Sequence, residues 1–97
     1  MKRLLWWLLA GTKGGINRAH IIKALKERPY NANQLAELLN LDYKTVRHHL
    51  KVLQDNRIIV TQGEGYSTMY FLSRELEDNY ATFEEIWQKV EKKGGVV

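Results

Sequence analysis

Cysteine is missing from this chain. Disulfides and thiolate metal sites are therefore excluded. Histidine is scarce, and two of the three, His48 and His49, are adjacent. On one helix they diverge by about 100° and do not share an ion, so no metal site is expected. Proline occurs once, at Pro29. No repeat, low-complexity stretch or linker interrupts the chain. The longest apolar run is Leu4 to Ala10, far too short to span a bilayer. A basic start ahead of that run imitates a signal peptide, but Lys13 follows where small cleavage-site residues belong. A membrane partner is not expected, and a cytoplasmic location is. No nucleophile elbow or phosphate-binding glycine loop is present. "GTKGG" (residues 11–15) is too short for one and reads as a flexible joint. No catalytic residue and no cofactor is assigned.

Positive charge is present, and it is lopsided. The formal net charge is +4. Residues 1–62 hold eleven Lys and Arg against four Asp and Glu, and residues 63–97 hold four against seven. A basic front half points to a polyanion partner, and a mixed acidic tail to another task such as assembly.

Helix starts are clearly marked. Asn17 is placed to cap a helix with an inner face of Ile21, Ile22 and Leu25, stapled by Ile16 to Ile21. Pro29 ends it. Asn31 caps the next helix, Ala32 to Leu39, with Gln34 completing a capping box and Tyr30 stapled to Leu35. Asn40 suits a left-handed stop. Asp42 caps a third helix, stapled by Leu41 and Val46. The short connection between these last two predicts a helix-turn-helix. "RIIVTQ" (residues 57–62) and "MYFLS" (69–73) read as strands around the turn "GEGYST". Ser73 then caps a last helix running to about Lys92.

The third helix carries the functional signal. Val46, Leu50 and Leu53 define its buried side. Lys44, His48, Lys51 and Asp55 point away from it, Thr45 and Arg47 lie on the flanks, and His49 falls nearer the buried side as a packed, locally hydrogen-bonded histidine. Any soluble helix shows a charged face, but this one is the second helix of a tight helix-turn-helix ahead of a hairpin. Lys, Thr, Arg and His on its outward first turns suit a DNA major groove.

Over residues 31–60 the sequence "NANQLAELLNLDYKTVRHHLKVLQDNRIIV" resembles the ArsR-like winged-helix transcription regulators, through the Leu35-Ala36 pair and the run of Thr45, Val46, His49, Leu50, Lys51 and Leu53. The fuller stretch from Gly15 is most similar to archaeal members. The resemblance implies a homodimer on operator DNA, with residues 42–56 as the recognition helix. By position, Tyr43, Lys44, Thr45, Arg47 and His48 match base or phosphate contacts, and Lys51 a phosphate contact. The metal-sensing cysteines of founding members are absent. The wing tip also departs: it has Glu64, Tyr66, Ser67 and Thr68 but no Lys or Arg. Hydroxyl contacts to phosphate from Tyr66 and Ser67 are expected instead, with Arg57 as a backbone contact.

The expected fold is mainly α with a small β-hairpin (α+β): a winged helix-turn-helix with terminal helices for dimerisation. A single domain, 1–97, comprises an apolar helix (1–11), the winged-helix core (15–73) and a C-terminal dimerisation helix (74–93). In the last helix Leu76, Tyr80, Phe83, Trp87 and Val90 follow a heptad-like seam. With Leu5, Trp6 and Leu9 they are the expected dimer interface. Double-stranded DNA and a second copy are the expected partners, and no effector ligand is assigned. Two other readings remain at this level. A winged helix also serves as a protein–protein module in transcription-related assemblies. RNA binding fits less well, because the hairpin offers no platform of exposed aromatics.

Overall fold

The computed structural model describes residues 1–96, with side chains as far as Lys92. Six helices and one hairpin make up the described residues: α1 (Lys2–Ala10), α2 (Gly15–Glu27), α3 (Ala32–Leu39), α4 (Tyr43–Asp55), β1 (Ile59–Gln62), β2 (Met69–Leu72), α5 (Arg74–Asp78) and α6 (Tyr80–Val96). α2, α3 and α4 pack on one another, the hairpin covers one end of this group, and α1 and α6 pair along the other side of α2. None of these helices is long and apolar enough to cross a membrane.

The helix-turn-helix follows its local signals. The Asn31 side chain accepts from the Gln34 amide at 2.8 Å, and Gln34 accepts from the Asn31 amide at 2.8 Å. That is a complete capping box. Asn40 stops α3 in the left-handed region, at φ 54°. Two residues on, Asp42 accepts from the Thr45 amide at 3.2 Å and starts α4. The result is a winged helix-turn-helix, mainly helical with one small sheet.

β1 and β2 pair antiparallel, Ile59 opposite Leu72 and Gln62 opposite Met69. Both are shorter than expected, because Arg57 turns the chain at φ 60° and Ile58 precedes the paired run. Tyr70 also donates its amide to the Tyr30 carbonyl at 2.9 Å, fastening the hairpin to the segment between α2 and α3.

Three expectations fail at the chain ends. Asn17 does not cap α2. The helix starts two residues earlier, at Gly15, and Ile16 is half-exposed rather than a staple. The reason is contact: a Cβ on Gly15 would lie 1.9 Å from the Leu9 carbonyl oxygen. "GTKGG" is thus a close approach between α1 and α2 that only glycine permits, not an open joint. The expected single last helix is two. Ser73 caps α5 at 3.1 Å, but Asn79 then breaks the ladder, its side-chain amide donating to the Glu75 carbonyl at 2.8 Å. Lastly, most of the heptad-like seam closes inside the single chain. Leu76, Phe83 and Trp87, with Ile86, are buried in the single chain, as are Leu5 and Leu9. These form one core with Leu8, Ile21, Ile22, Leu35, Leu50 and Leu53.

Candidate nucleic-acid interface

The side of α4 away from Val46, Leu50 and Leu53 is open. Lys44, Arg47, His48 and Lys51 are exposed, and Tyr43 and Thr45 are partly so. The N-terminal half of α4 faces the wing across a shallow cleft of about 290 Å³ lined by Tyr43, Arg47, Gly65, Tyr66 and Thr68. Three of the residues expected to bind DNA, Tyr43, Arg47 and Tyr66, therefore share one concavity.

Arg47 is held there. Its Nη1 donates to the Tyr70 hydroxyl at 2.9 Å. Tyr70 is buried on β2 and tied in turn to the Tyr30 carbonyl. A guanidinium has five donors, so four remain for a ligand. Anchoring one end lowers the side-chain entropy that binding has to remove. Sequence reasoning missed Tyr70 and named Thr68 only as part of the wing tip. The alternation of β2 was the available signal, since Tyr70 and Leu72 face the core together.

The other expected residues stand apart from this cleft. Lys51 pairs with Asp55 one turn on, at 3.4 Å and fully in solvent. Such a pair adds little stability and leaves the ammonium free to exchange partners. Ser67 sits at the wing tip, where its hydroxyl donates to the Glu64 carbonyl at 2.7 Å. It retains acceptor capacity only. Tyr66, on the wing side of the cleft, is 81% exposed, more than any other large apolar or aromatic side chain among the described residues. Arg57 stands two residues past the C-terminus of α4, whose length from Tyr43 to Asp55 is roughly 18 Å at 1.5 Å per residue, and so lies at the far end of the helix from the cleft.

His49 is buried, as its place on the helix predicts, but its partner is not local. The ring Nδ1 lies 3.3 Å from Nη1 of Arg18, 31 residues away. Arginine only donates, so Nδ1 accepts. Burial, then Arg18, then His48 hold the His49 ring below the ordinary histidine basicity.

Residues 17–61 match the model of the bacterial regulatory protein, arsR family. No curated protein matches the chain. Among solved structures, reduced HlyU from Vibrio cholerae N16961 is similar at 18% identity over 90% of this chain and 83% of its own, with a TM-score of 0.64. A probable transcriptional regulator from Pseudomonas aeruginosa is 21% identical over 92% of this chain and 73% of its own, with a TM-score of 0.64. MarR from Staphylococcus aureus, solved with salicylate and kanamycin, is 15% identical with a TM-score of 0.62 over 82% of this chain. The chain spans 54% of the length of that MarR. At these identities the structures speak for the fold alone, which is that of a winged helix-turn-helix. Over residues 17–61 the chain resembles the arsR family of regulatory proteins.

A second surface lies at the terminal helices. Of the eight residues expected at a dimer interface, Leu5, Leu9, Leu76, Phe83 and Trp87 have almost no surface left for a partner. Trp6, Tyr80 and Val90 keep part of theirs. Tyr80 lies under Lys26 of α2, the ammonium 4.8 Å from the ring. Trp6 and Val90 instead line an open groove of about 890 Å³ between α1, the start of α2 and α6, with Leu9, Ile16 and Lys89. Ile16 is 47% exposed and Trp7, beside Trp6, is 52% exposed. The apolar surface of this end is therefore on α1 and the first turn of α2, not on the α6 seam.

Proposed function

We propose that the chain is a transcription regulator that binds duplex DNA in a sequence-dependent way as a homodimer, with α4 in the major groove. The observation that carries this is the outward row of Lys44, Arg47, His48 and Lys51, with Arg47 fixed by the wing at 2.9 Å in the Tyr43–Tyr66 cleft. In that reading Arg47 reads a base edge, because a pre-set guanidinium matches the two acceptors of guanine. Lys44 and Lys51 meet phosphate. His48, beside them on the outward face, is placed to hydrogen-bond a phosphate or a base edge through its ring. Tyr66 and the Thr68 hydroxyl complete the wing side. Arg57 holds a phosphate further along.

Two copies pair through the Trp6–Val90 groove, with Trp7 and Ile16 extending the apolar contact. Large aromatic anchors in a concave surface are the usual centre of an interface. A two-fold axis there sets two recognition helices toward half-sites one helical turn apart.

Titration of labelled duplex at increasing salt tests the reading. The slope of log affinity on log salt is expected to be about −0.9 for each phosphate neutralised. Lys51→Ala lowers affinity for all sequences alike and makes the slope shallower. Arg47→Ala also narrows the gap between selected and random duplex. Equal losses on every sequence from both variants remove Arg47 as a base reader. No change from either removes α4 as the recognition helix, and no duplex binding at all leaves a protein–protein module.

A further inference from the structure

Arg18 is a cation without an anion. Its side chain is 3% exposed, and among the described residues no carboxylate lies within ion-pair distance of it. It also sits near the start of α2, where the helix dipole disfavours positive charge. Neither local helix chemistry nor a salt bridge accounts for this arginine.

Its partners do. Nε and Nη2 both donate to the Leu8 carbonyl, at 2.9 and 2.7 Å. Leu8 lies in the last turn of α1, where carbonyls lack helical partners and the dipole is negative. That helix end takes the place of a counter-ion. Nη2 also bonds the Thr12 hydroxyl and, at 3.1 Å, the Lys13 carbonyl. Nη1 reaches His49 at 3.3 Å. One guanidinium thus joins α1, the 11–14 connection, α2 and α4.

His49 is gripped from a second side. Gly14 is left-handed at φ 85°, and a Cβ there would lie 2.5 Å from His49 Cε1. The ring is packed between the 11–14 backbone and Arg18. It is also the inward neighbour of His48 and two residues from Arg47 on the same helix. Thr12 and Gly14 meanwhile line the Trp6–Val90 groove. The same short segment touches both surfaces of the molecule.

We propose that Arg18 and His49 form a proton-sensitive latch that seats α4, open when the His49 ring is protonated. This rests on α4 being the DNA-reading helix. A proton from solvent adds to Nδ1, which then cannot accept from Arg18, and two cations face each other with no carboxylate of the described residues paired to Arg18. The charged and titratable groups facing the ring are Arg18 from α2 and His48 from α4 itself, with ring centroids 5.7 Å apart. The 11–14 connection contributes backbone only. Because burial and these cations lower the basicity of the folded ring, the unfolded chain takes up the proton first. The latch's contribution to stability is present above about pH 6.5, the ordinary histidine value, and is lost as pH falls below it. Arg18 is a positioning residue in this scheme. It touches no DNA.

The test follows the His49 ring by NMR through acidification of the full chain, in parallel with the affinity for a fluorescein-labelled random-sequence duplex. In the wild type the ring titrates at lower pH than histidine in an unfolded peptide, and affinity drops several-fold as it does. His49→Gln, whose side-chain oxygen still accepts from Arg18, abolishes the acid drop and keeps affinity at neutral pH. His48→Gln leaves the acid drop in place. Arg18→Met raises the pH at which the His49 ring titrates. An unchanged acid drop in His49→Gln overturns the latch, as does a His49 ring that titrates like a peptide histidine. A chain that binds no duplex at any pH refutes the DNA reading instead, and the ring titration still decides whether the Arg18–His49 contact exists. Should Arg18→Met fail to fold, the His49→Gln comparison stands alone.

Discussion

Asn31 and Asp42, which begin α3 and α4, each accept a hydrogen bond from the third backbone amide of the helix they cap. Met1 and Gly14, which begin α1 and α2, supply no side-chain cap. The helix-turn-helix is bounded by chemistry within three residues of each start. The terminal shell is held by contacts across the chain: Gly15 on Leu9, Arg18 on Leu8 and His49, and Phe83 and Ile86 buried in the shared core. The two regions also use apolar surface differently. α4 leaves its outward face to charge, with Leu38 of α3 the large apolar side chain exposed in the helix-turn-helix, whereas the shell leaves Trp7 and Ile16 exposed and Trp6 partly so. Local encoding therefore sets which side chains α4 turns outward, and tertiary packing sets the platform that carries them and the seat of Arg47.

Removing a shell contact should hurt most. Phe83 is completely buried within the single chain, so Phe83→Ala is expected to cost about 3–5 kcal/mol of folding stability. Denaturant unfolding measures it. Trp6→Asp is expected to behave in the opposite way, with helicity kept by circular dichroism and the molecule monomeric by sedimentation. A Phe83 variant that merely dissociates, with its unfolding midpoint unchanged, would mean the seam faces a partner and would erase the contrast.

The next effect is steric. Gly15→Ala forces the α1–α2 approach apart and is expected to cost about 1–3 kcal/mol, as overpacking does. The neighbouring exposed change, Ile16→Ala, is expected to stay within about 0.5 kcal/mol. Equal thermal midpoints for the two would show that the close approach is not needed.

The smallest loss belongs to the locally encoded region. Asn31→Ala removes one half of the capping box and is expected to cost about 1 kcal/mol, read from the shift in unfolding midpoint. Asn31→Asp keeps the acceptor and is expected to restore most of it. A loss as large as that of Phe83→Ala would place the start of α3 among the tertiary contacts.

Legibility in the sequence tracks this division. Asn31, Gln34, Asn40 and Asp42 stood at their structural posts in the sequence reading, because a cap acts on amides two or three residues away. The outward direction of Lys44, Arg47, His48 and Lys51 followed from helical periodicity alone. Tyr70 as the holder of Arg47 did not, since the two are 23 residues apart and meet only when the hairpin folds back. The seam of Leu76, Phe83 and Trp87 was visible as a pattern, yet periodicity gives a face and not its partner. Asn79 shows the same limit. It reads as an ordinary helix position until its side chain bonds the Glu75 carbonyl and divides α5 from α6.

Local hydrogen bonding and periodicity determined the helix-turn-helix, the hairpin and the basic outer face of α4, since each needs only residues close in sequence. The inward turn of the terminal seam, the seating of Arg47 and the burial of Arg18 against His49 were decided by the tertiary structure. An apolar stripe takes whichever apolar surface the packed chain brings to it. A buried guanidinium is stable only where the folded backbone has already gathered the carbonyls that replace its water.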